Sequence, residues 1–414
     1  MKHWDAVLSF VVAAAIAAIV TPLAARLARR LGMVDRPRDR GLANRETPLL
    51  GGLAIFAGIV VAVAIFMPHM ITLPRSARAS EIHTSVNTWG LIAGAGLIVL
   101  VGAIDDWLDL PWWLKLMGQI GAAVVAVEAG AVVTDVTVPF VGAFQFPNAG
   151  GALTVLWLVV LMNVVNLTDG VDGLAAGLCT IDGIAFAVIA FDLGVPGAAI
   201  LAALTAGASL GFLAHNFHPA SIFMGDAGSN LLGYMLGVAA VAGSLKTNAV
   251  VALLVPLVIL AVPFLDTSFV VARRLKYRRA PWVADTEHFH HRFSRIGFSQ
   301  RKTVAYLYAW ALILAGLAVA LRLLPYHTQN TGRYDWLWVG VLVGIGVLAL
   351  AASVYLVVVL EILKLRRLRP VDAPRADPAA PDAEIRARAA RDSRDSRDSR
   401  DSRDVETGEL PKVR

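Results

Sequence analysis

An all-α polytopic membrane protein of about eleven transmembrane helices is the fold class this sequence predicts. Three observations predict it. Hydrophobic residues make up 57% of the 414-residue chain and charged residues only 16%, and the mean hydropathy is +0.65, proportions that suit lipid better than water. Apolar runs of spanning length, roughly 17–25 residues, recur along most of the chain. The basic residues gather in short stretches between those runs, which is the pattern that orients a membrane protein.

In order, the runs lie near 5–27, 49–68, 88–104, 113–132, 151–167, 173–192, 197–214, 229–245, 249–272, 303–323 and 335–363. The first, Ala6 to Leu23, is read as a span, being too long for a secretory signal and lacking a basic start and a small-residue cleavage site. Arg26, Arg29, Arg30, Arg36, Arg38, Arg40 and Arg45 separate it from the second. Arg273, Arg274, Lys276, Arg278 and Arg279 follow the ninth, and Lys364, Arg366, Arg367 and Arg369 follow the last. With eleven spans these basic regions share one face, which the positive-inside rule makes cytoplasmic; the N-terminus is then outside and the C-terminus cytoplasmic. Of the outer loops, Pro68 to Asn87 is polar and without pattern. Val132 to Phe146 alternates apolar and polar residues around Pro139 and Gly142 and predicts a small external β-hairpin.

The remaining composition narrows the function. The single cysteine, Cys179, lies in an apolar run, so neither an intrachain disulfide nor a cysteine zinc site is available. The net charge of +6 sits beside spans, so its partner is the lipid bilayer and not nucleic acid. From about Pro370 the chain turns to Pro, Ala, Asp and Arg, with Arg-Asp-Ser repeated four times from Arg391 to Ser402. Such a tract cannot bury a core. The chain thus divides into a membrane domain, 1–369, and a disordered Arg/Asp/Ser-rich cytoplasmic tail, 370–414.

Four polar clusters fall on the predicted cytoplasmic face. Asp105 and Asp106 stand at the end of the third span, with Asp109 sharing the face of Asp105 and Lys115 close by; two bare anions at that spacing repel, and a divalent cation or a basic partner resolves it. A solvated acidic helix end is the equal alternative. Asn163, Asn166, Asp169 and Asp172 recur every third residue, interrupted by Gly170 and Gly173, a pattern suited to nucleotide recognition or metal-linked phosphate binding, against a water-filled cleft with packing glycines. Gly225-Asp226-Ala227-Gly228-Ser229 opens a span, where helix N-terminal amides favour an anion and Asp226 offers a hard oxygen ligand, although a bare Gly-rich turn is a weak signal. Phe223 presents a face for base stacking. His288, His290, His291 and Arg292 lie in a basic loop that suits a diphosphate or lipid phosphate better than a transition metal, with general headgroup binding as the alternative. Asp266, inside the ninth span, is an ionisable residue at membrane depth.

Together these stretches resemble the polyprenyl-phosphate N-acetylhexosamine-1-phosphate transferases over roughly residues 5–325. The likeness is closer to the WecA-type than to the MraY-type enzymes, on Gly102-Ala-Ile-Asp-Asp-Trp-Leu-Asp-Leu with Lys115 and Gln119, and on Asp285-Thr-Glu-His-Phe-His-His-Arg-Phe, where MraY-type enzymes carry a run of adjacent histidines. The resemblance implies transfer of N-acetylhexosamine 1-phosphate, GlcNAc 1-phosphate first among the candidates, from a UDP-N-acetylhexosamine to undecaprenyl phosphate. UMP is released, and the product is the first lipid-linked intermediate of a cell-envelope glycopolymer. It implies Mg2+, with Mn2+ as a substitute, a multi-pass protein of the bacterial inner membrane with a cytoplasmic active site, and a family precedent for a homodimer. Carried over, Asp226 and Asp169 are the expected metal ligands, and Asp105, Asp106 and Asp226 the catalytic acids. Lys115, Asn166, Asp169, Asp172, Phe223, His288, His290, His291 and Arg292 are the expected substrate-binding residues.

One stretch departs from the family pattern. Asp35-Arg36-Pro37 and Pro48-Leu49-Leu50-Gly51-Gly52 are present, but Gly41 and Ala43 stand where a lysine and a histidine are usual.

The charge balance suggests a mechanism. A phosphomonoester with a second pKa of about 6 is largely dianionic at neutral pH and needs little from a general base. Asp105 and Asp106 then mainly position the acceptor, with Asp105 taking any residual proton; a covalent aspartyl intermediate is the rival route. A MraY-like phospho-MurNAc-pentapeptide transferase is the near alternative. A transporter is the distant one, disfavoured by the lack of an internal repeat.

Overall fold

The computed structural model describes residues 4–35, 46–67, 71–73, 84–133, 135–138, 142–145, 149–244, 299–325, 327–328 and 333–367. Met1–Leu360 form one compact unit. Its helices are α1 (Trp4–Leu31), α2 (Gly51–Phe66), α3 (Thr88–Leu108), α4 (Trp112–Glu128), α5 (Gly150–Thr168), α6 (Leu174–Asp192), α7 (Pro196–Asn216), α8 (Gly225–Ser244), α9 (Gln300–Leu323) and α10 (Trp336–Arg367). A second unit, Glu361–Arg414, is described only as far as Arg367, where α10 ends.

Every predicted run other than 249–272 holds one of these helices. Seven helices (α1, α3, α5, α6, α7, α9 and α10) are long and apolar enough to cross a membrane, and α2 is a shorter apolar helix. The expected ninth span, with Asp266, the histidine loop from His288 to Arg292, the departures at Gly41 and Ala43, and the tail 370–414 lie outside the described residues.

Short antiparallel pairs join the helices. β1 (Val34–Asp35) pairs with β2 (Thr47–Pro48), and β3 (Ile71–Leu73) with β4 (Thr84–Val86). β5 (Asp135–Val138) pairs with β6 (Gly142–Gln145) in the register Val138↔Gly142, within the stretch whose alternation predicted a hairpin. β7 (His327–Thr328) pairs with β8 (Arg333–Tyr334). The β3–β4 ladder sits in a loop whose sequence shows no strand pattern; backbone pairing there does not depend on alternating side chains.

Local chemistry sets several helix ends. The Asn87 side chain accepts a hydrogen bond from the Gly90 amide at 3.2 Å and starts α3. Asp109 closes α3 in the left-handed conformation at φ 50°. Its chain turns away there, so Asp105 and Asp109 do not continue one helical face.

The helices pack through small residues. The buried face of α1 is Ser9, Ala13, Ala17, Thr21, Ala24, Ala25 and Ala28, and a side chain at Gly207 or Gly211 of α7 would collide with the α1 carbonyls of Phe10 or Ala14. Close approach of this kind is how helices associate where lipid supplies no hydrophobic drive. At the centre stands α8, buried from Ala227 through Ala242 and packed against α2, α3, α5, α6 and α7. Elsewhere in the bundle, Asp182 of α6 is buried, and one of its carboxylate oxygens has no hydrogen-bond partner among the described residues.

Candidate active site

The site is assembled around the first turn of α8. The segment leading into that turn is held by the start of α2: Phe223 N–H donates to the Pro48 carbonyl at 2.8 Å, Gly51 N–H to Phe223 O at 3.0 Å, and Gly52 N–H to Met224 O at 3.0 Å. Side chains at Gly52 and at Gly102 of α3 would both collide with the backbone around Ala227. Three helices therefore meet backbone to backbone here, and only glycine permits it.

That approach brings Asp106 onto the helix terminus. Its Oδ1 accepts from Asp226 N–H at 2.8 Å and its Oδ2 from Ala227 N–H at 3.3 Å. A negative charge is stabilised at that position by the helix dipole and by the orphan amides. Gly225 has φ 68°, and a side chain there would strike the Asp106 carboxylate. The sequence reading placed a ligand anion on this Gly-rich terminus; the anion that occupies those two amides is Asp106 itself, delivered by α3.

Asp105 faces the other way. Its Oδ1 accepts from Leu110 N–H at 2.8 Å, and its Oδ2 lies 2.5 Å from Lys115 Nζ. The same ammonium is 3.2 Å from Asp226 Oδ2. Lys115 is thus the basic partner of Asp105, and it bridges α3, α4 and α8. The Asn166 side chain donates a further hydrogen bond to the Asp226 carboxylate. Behind them runs a chain of amides: Asn163 Nδ2 donates to Gln119 Oε1 at 2.7 Å, Gln119 Nε2 to Asn230 Oδ1 at 2.8 Å, and Asn230 Nδ2 to Asp226 O at 2.8 Å.

The opposite wall comes from the α5–α6 turn and the end of α7. Asp169 caps α5, and Gly173, at φ 79°, opens α6. Asp169 keeps part of its side chain open, yet burial, together with the charges of Asp226, Asp106 and Asp172, pushes its carboxyl up from 3.8 to about 8. Asp172 is paired: its Oδ2 accepts from Ala220 N–H at 3.1 Å and lies 2.8 Å from His218 Nδ1. Asn216 ties the two segments together, accepting from Gly173 N–H at 3.0 Å and donating to Ile222 O at 2.9 Å. From α9, Arg301 Nε donates to His218 O at 3.3 Å and Tyr308 Oη to Gly173 O at 2.5 Å.

Asp105, Asp106, Lys115, Asn166, Asp169, Asp172, Phe223 and Asp226, picked out in sequence, thus come to one end of the bundle. Asn216, His218, Asn230 and Arg301 join them and were not singled out. The signal available for two of them was the polar run Asn216-Phe217-His218-Pro219, placed between an apolar span and Phe223.

No three His, Cys, Asp or Glu side chains among the described residues stand ready as a complete metal cage. Of the four carboxylates, Asp105 and Asp226 share the one ammonium, while Asp106 and Asp169 lie within electrostatic reach of Asp226. Hard oxygens in that number suit magnesium, which uses one or two carboxylates and takes its other ligands from water and substrate phosphates.

Residues 88–244 match the model of glycosyl transferase family 4. The chain is 35% identical over 317 residues to a probable undecaprenyl-phosphate N-acetylglucosaminyl 1-phosphate transferase of Bacillus subtilis, covering 76% of this chain and 85% of the relative. It is 39% identical over 343 residues to a decaprenyl-phosphate N-acetylglucosaminephosphotransferase of Mycobacterium tuberculosis, covering 75% and 82%. A phospho-N-acetylmuramoyl-pentapeptide-transferase of Desulforamulus reducens is 34% identical over 334 residues, covering 75% and 93%.

Proposed function

The chain belongs to glycosyl transferase family 4, the polyprenyl-phosphate N-acetylhexosamine-1-phosphate transferases, and on that premise we propose that it moves GlcNAc 1-phosphate from UDP-GlcNAc to undecaprenyl phosphate, releasing UMP. It is a multi-pass membrane transferase. The observation that carries the reading is the pairing of Asp105 and Asp226 on Lys115 at one end of the bundle, with Asp106 on the first turn of α8 and Asp169 within electrostatic reach of Asp226. Relatives named for GlcNAc transfer are 35–39% identical, and those named for phospho-MurNAc-pentapeptide transfer 30–34%, which favours GlcNAc.

The reaction joins two anions, so charge is the obstacle. Asp226 and Asp169 would hold magnesium, which neutralises phosphate charge when bound. Lys115, already between Asp105 and Asp226, supplies a fixed positive charge to the acceptor phosphate. Asp105 holds Lys115 in place and is the group that takes a residual proton from the acceptor. Asp106 aims Asp226 by capping α8. The basic end of the family's histidine loop, His288 to Arg292, is assigned to the diphosphate. The site faces the cytoplasm of the inner membrane, where UDP-sugars are made, and the chain works alone or as a homodimer.

Purified protein with UDP-GlcNAc, undecaprenyl phosphate and Mg2+ tests this: UMP is released and a lipid diphosphate sugar forms. Release that survives chelation or Asp226→Asn would overturn the metal assignment. A stoichiometric burst of UMP without acceptor would overturn direct attack. No UMP from any UDP-sugar would return the transporter reading.

A further inference from the structure

The transferase reading leaves one side chain of the site without a task. His218 lies on the loop between α7 and α8, five residues before Phe223, and is 36% exposed. Nearly everything around it is tied down. Its Nδ1 meets Asp172, its carbonyl accepts from Arg301, Ser221 Oγ and N–H both bond the His215 carbonyl, and Asn216 clamps the loop to Gly173 and Ile222. Nε2 has no partner among the described residues.

An imidazole whose Nδ1–H is held by a carboxylate is fixed in orientation and tautomer, and in the neutral ring the other nitrogen is then an acceptor aimed outward. Such a nitrogen needs an N–H or O–H partner. Asp172 was expected to bind the nucleotide directly, but its Oδ2 is engaged by His218 and by Ala220 N–H. The imidazole is the more exposed partner of this pair, 36% against 16% for Asp172.

We propose that His218 is a specificity-determining residue, its Nε2 accepting a hydrogen bond from the imide N–H of the donor's uracil. This rests on the proposed use of a UDP-sugar. Uracil carries a donor at that ring position and cytosine an acceptor, so the contact would select uridine over cytidine nucleotides. Phe223, on the same loop, supplies the stacking face, and His218 reads the edge.

The test uses the full chain in detergent or nanodiscs, with UMP, CMP and N3-methyl-UMP as inhibitors of UMP-releasing turnover. In the wild type, CMP and N3-methyl-UMP bind about tenfold more weakly than UMP or worse, the loss expected for an acceptor left facing no donor. His218→Asn keeps an amide for Asp172 but has nothing at the Nε2 position. It raises KM for UDP-GlcNAc about tenfold, erases the preference for UMP over N3-methyl-UMP, and leaves kcat and KM for undecaprenyl phosphate within about threefold. His218→Gln, whose amide reaches further, recovers part of the affinity. Equal inhibition of the wild type by UMP and N3-methyl-UMP overturns the proposal, and this result needs no variant to fold. So does a His218→Asn enzyme that loses kcat at unchanged KM, or one indistinguishable from wild type. A wild type that releases no UMP from any UDP-sugar overturns the transferase reading instead.

Discussion

The two walls of the site are built by opposite means. On the α3–α4–α8 side, charge is concentrated: Asp105, Asp106 and Asp226 crowd one lysine and one helix terminus. On the side of the α5–α6 turn and the 216–221 loop, hydrogen bonds are distributed. Asp172, Asn216, Arg301 and Tyr308 each tie a backbone group or a neighbouring side chain. The first arrangement holds like charges under mutual repulsion and is relieved by cations. The second, Asp169 apart, is held mainly by hydrogen bonds that fix a shape. One wall is suited to phosphate chemistry, the other to recognising a nucleoside.

The contrast can be broken most sharply at Asp226. Asp226→Asn keeps the size of the side chain and its place beside Lys115 but removes the charge, and UMP release falls by roughly three orders of magnitude. Asp172→Asn, on the other wall, acts mainly through the set of His218; there the loss is about tenfold and appears in KM. If the two variants lose kcat equally, the division of labour between the walls is wrong.

Gly225→Ala tests the joint on which the charged wall depends. The substitution strains a residue at φ 68° and pushes Asp106 off the terminus of α8. Turnover should fall about a hundredfold, with about 2 kcal/mol of stability lost, as read by thermal unfolding in the absence of substrate.

A pH series tests Asp169, which stands on the α5–α6 turn but feels the charges of Asp226 and Asp106 across the site. The carboxyl of Asp169 is held near 8 without metal, so a proton competes with magnesium at neutral pH. Magnesium affinity should rise by up to about tenfold per pH unit between 6 and 8 and level off above, with proton release seen by calorimetry in buffers of different ionisation enthalpy. The same sign applies to stability: the metal-free protein loses stability as pH rises from about 4 through 8, because the folded state binds that proton more tightly than the unfolded chain. Affinity independent of pH across this window would remove Asp169 from the metal site.

The smallest effect is expected behind the site. Gln119→Ala breaks the amide chain from Asn163 to Asn230 and should cost about 1 kcal/mol, in line with interhelical hydrogen bonds in membranes. Turnover should change only severalfold. A loss as large as that of Asp226→Asn would mean the amides belong to the reaction itself.

Much of this was legible in the chain. The run 151–167, though one of the shortest, is apolar enough to declare α5 by itself, and Gly170 and Gly173 mark the break before α6. Asp105 and Asp226 could be chosen because an acid beside an apolar run is costly unless it has a task, and Lys115 because it is the nearby base. Their mutual roles could not. Asp106 and Asp226 are 120 positions apart, and no periodicity links them. His218 passed unnoticed because a histidine before a proline looks like an ordinary loop until Asp172 is found against its ring.

By itself the sequence determined where helices form and which ends carry acids and amides, because span length and hydropathy are local properties that each segment expresses alone. It also determined the family, since the short motifs occur in order. Only the tertiary structure decided which carboxylate oxygens are occupied and by what. That depends on α2 and α3 reaching the α8 backbone at Gly52 and Gly102. The approach puts Asp106 on the amides that the motif offers to a ligand, and the pairing of Asp172 with His218 Nδ1 leaves Nε2 unpartnered among the described residues.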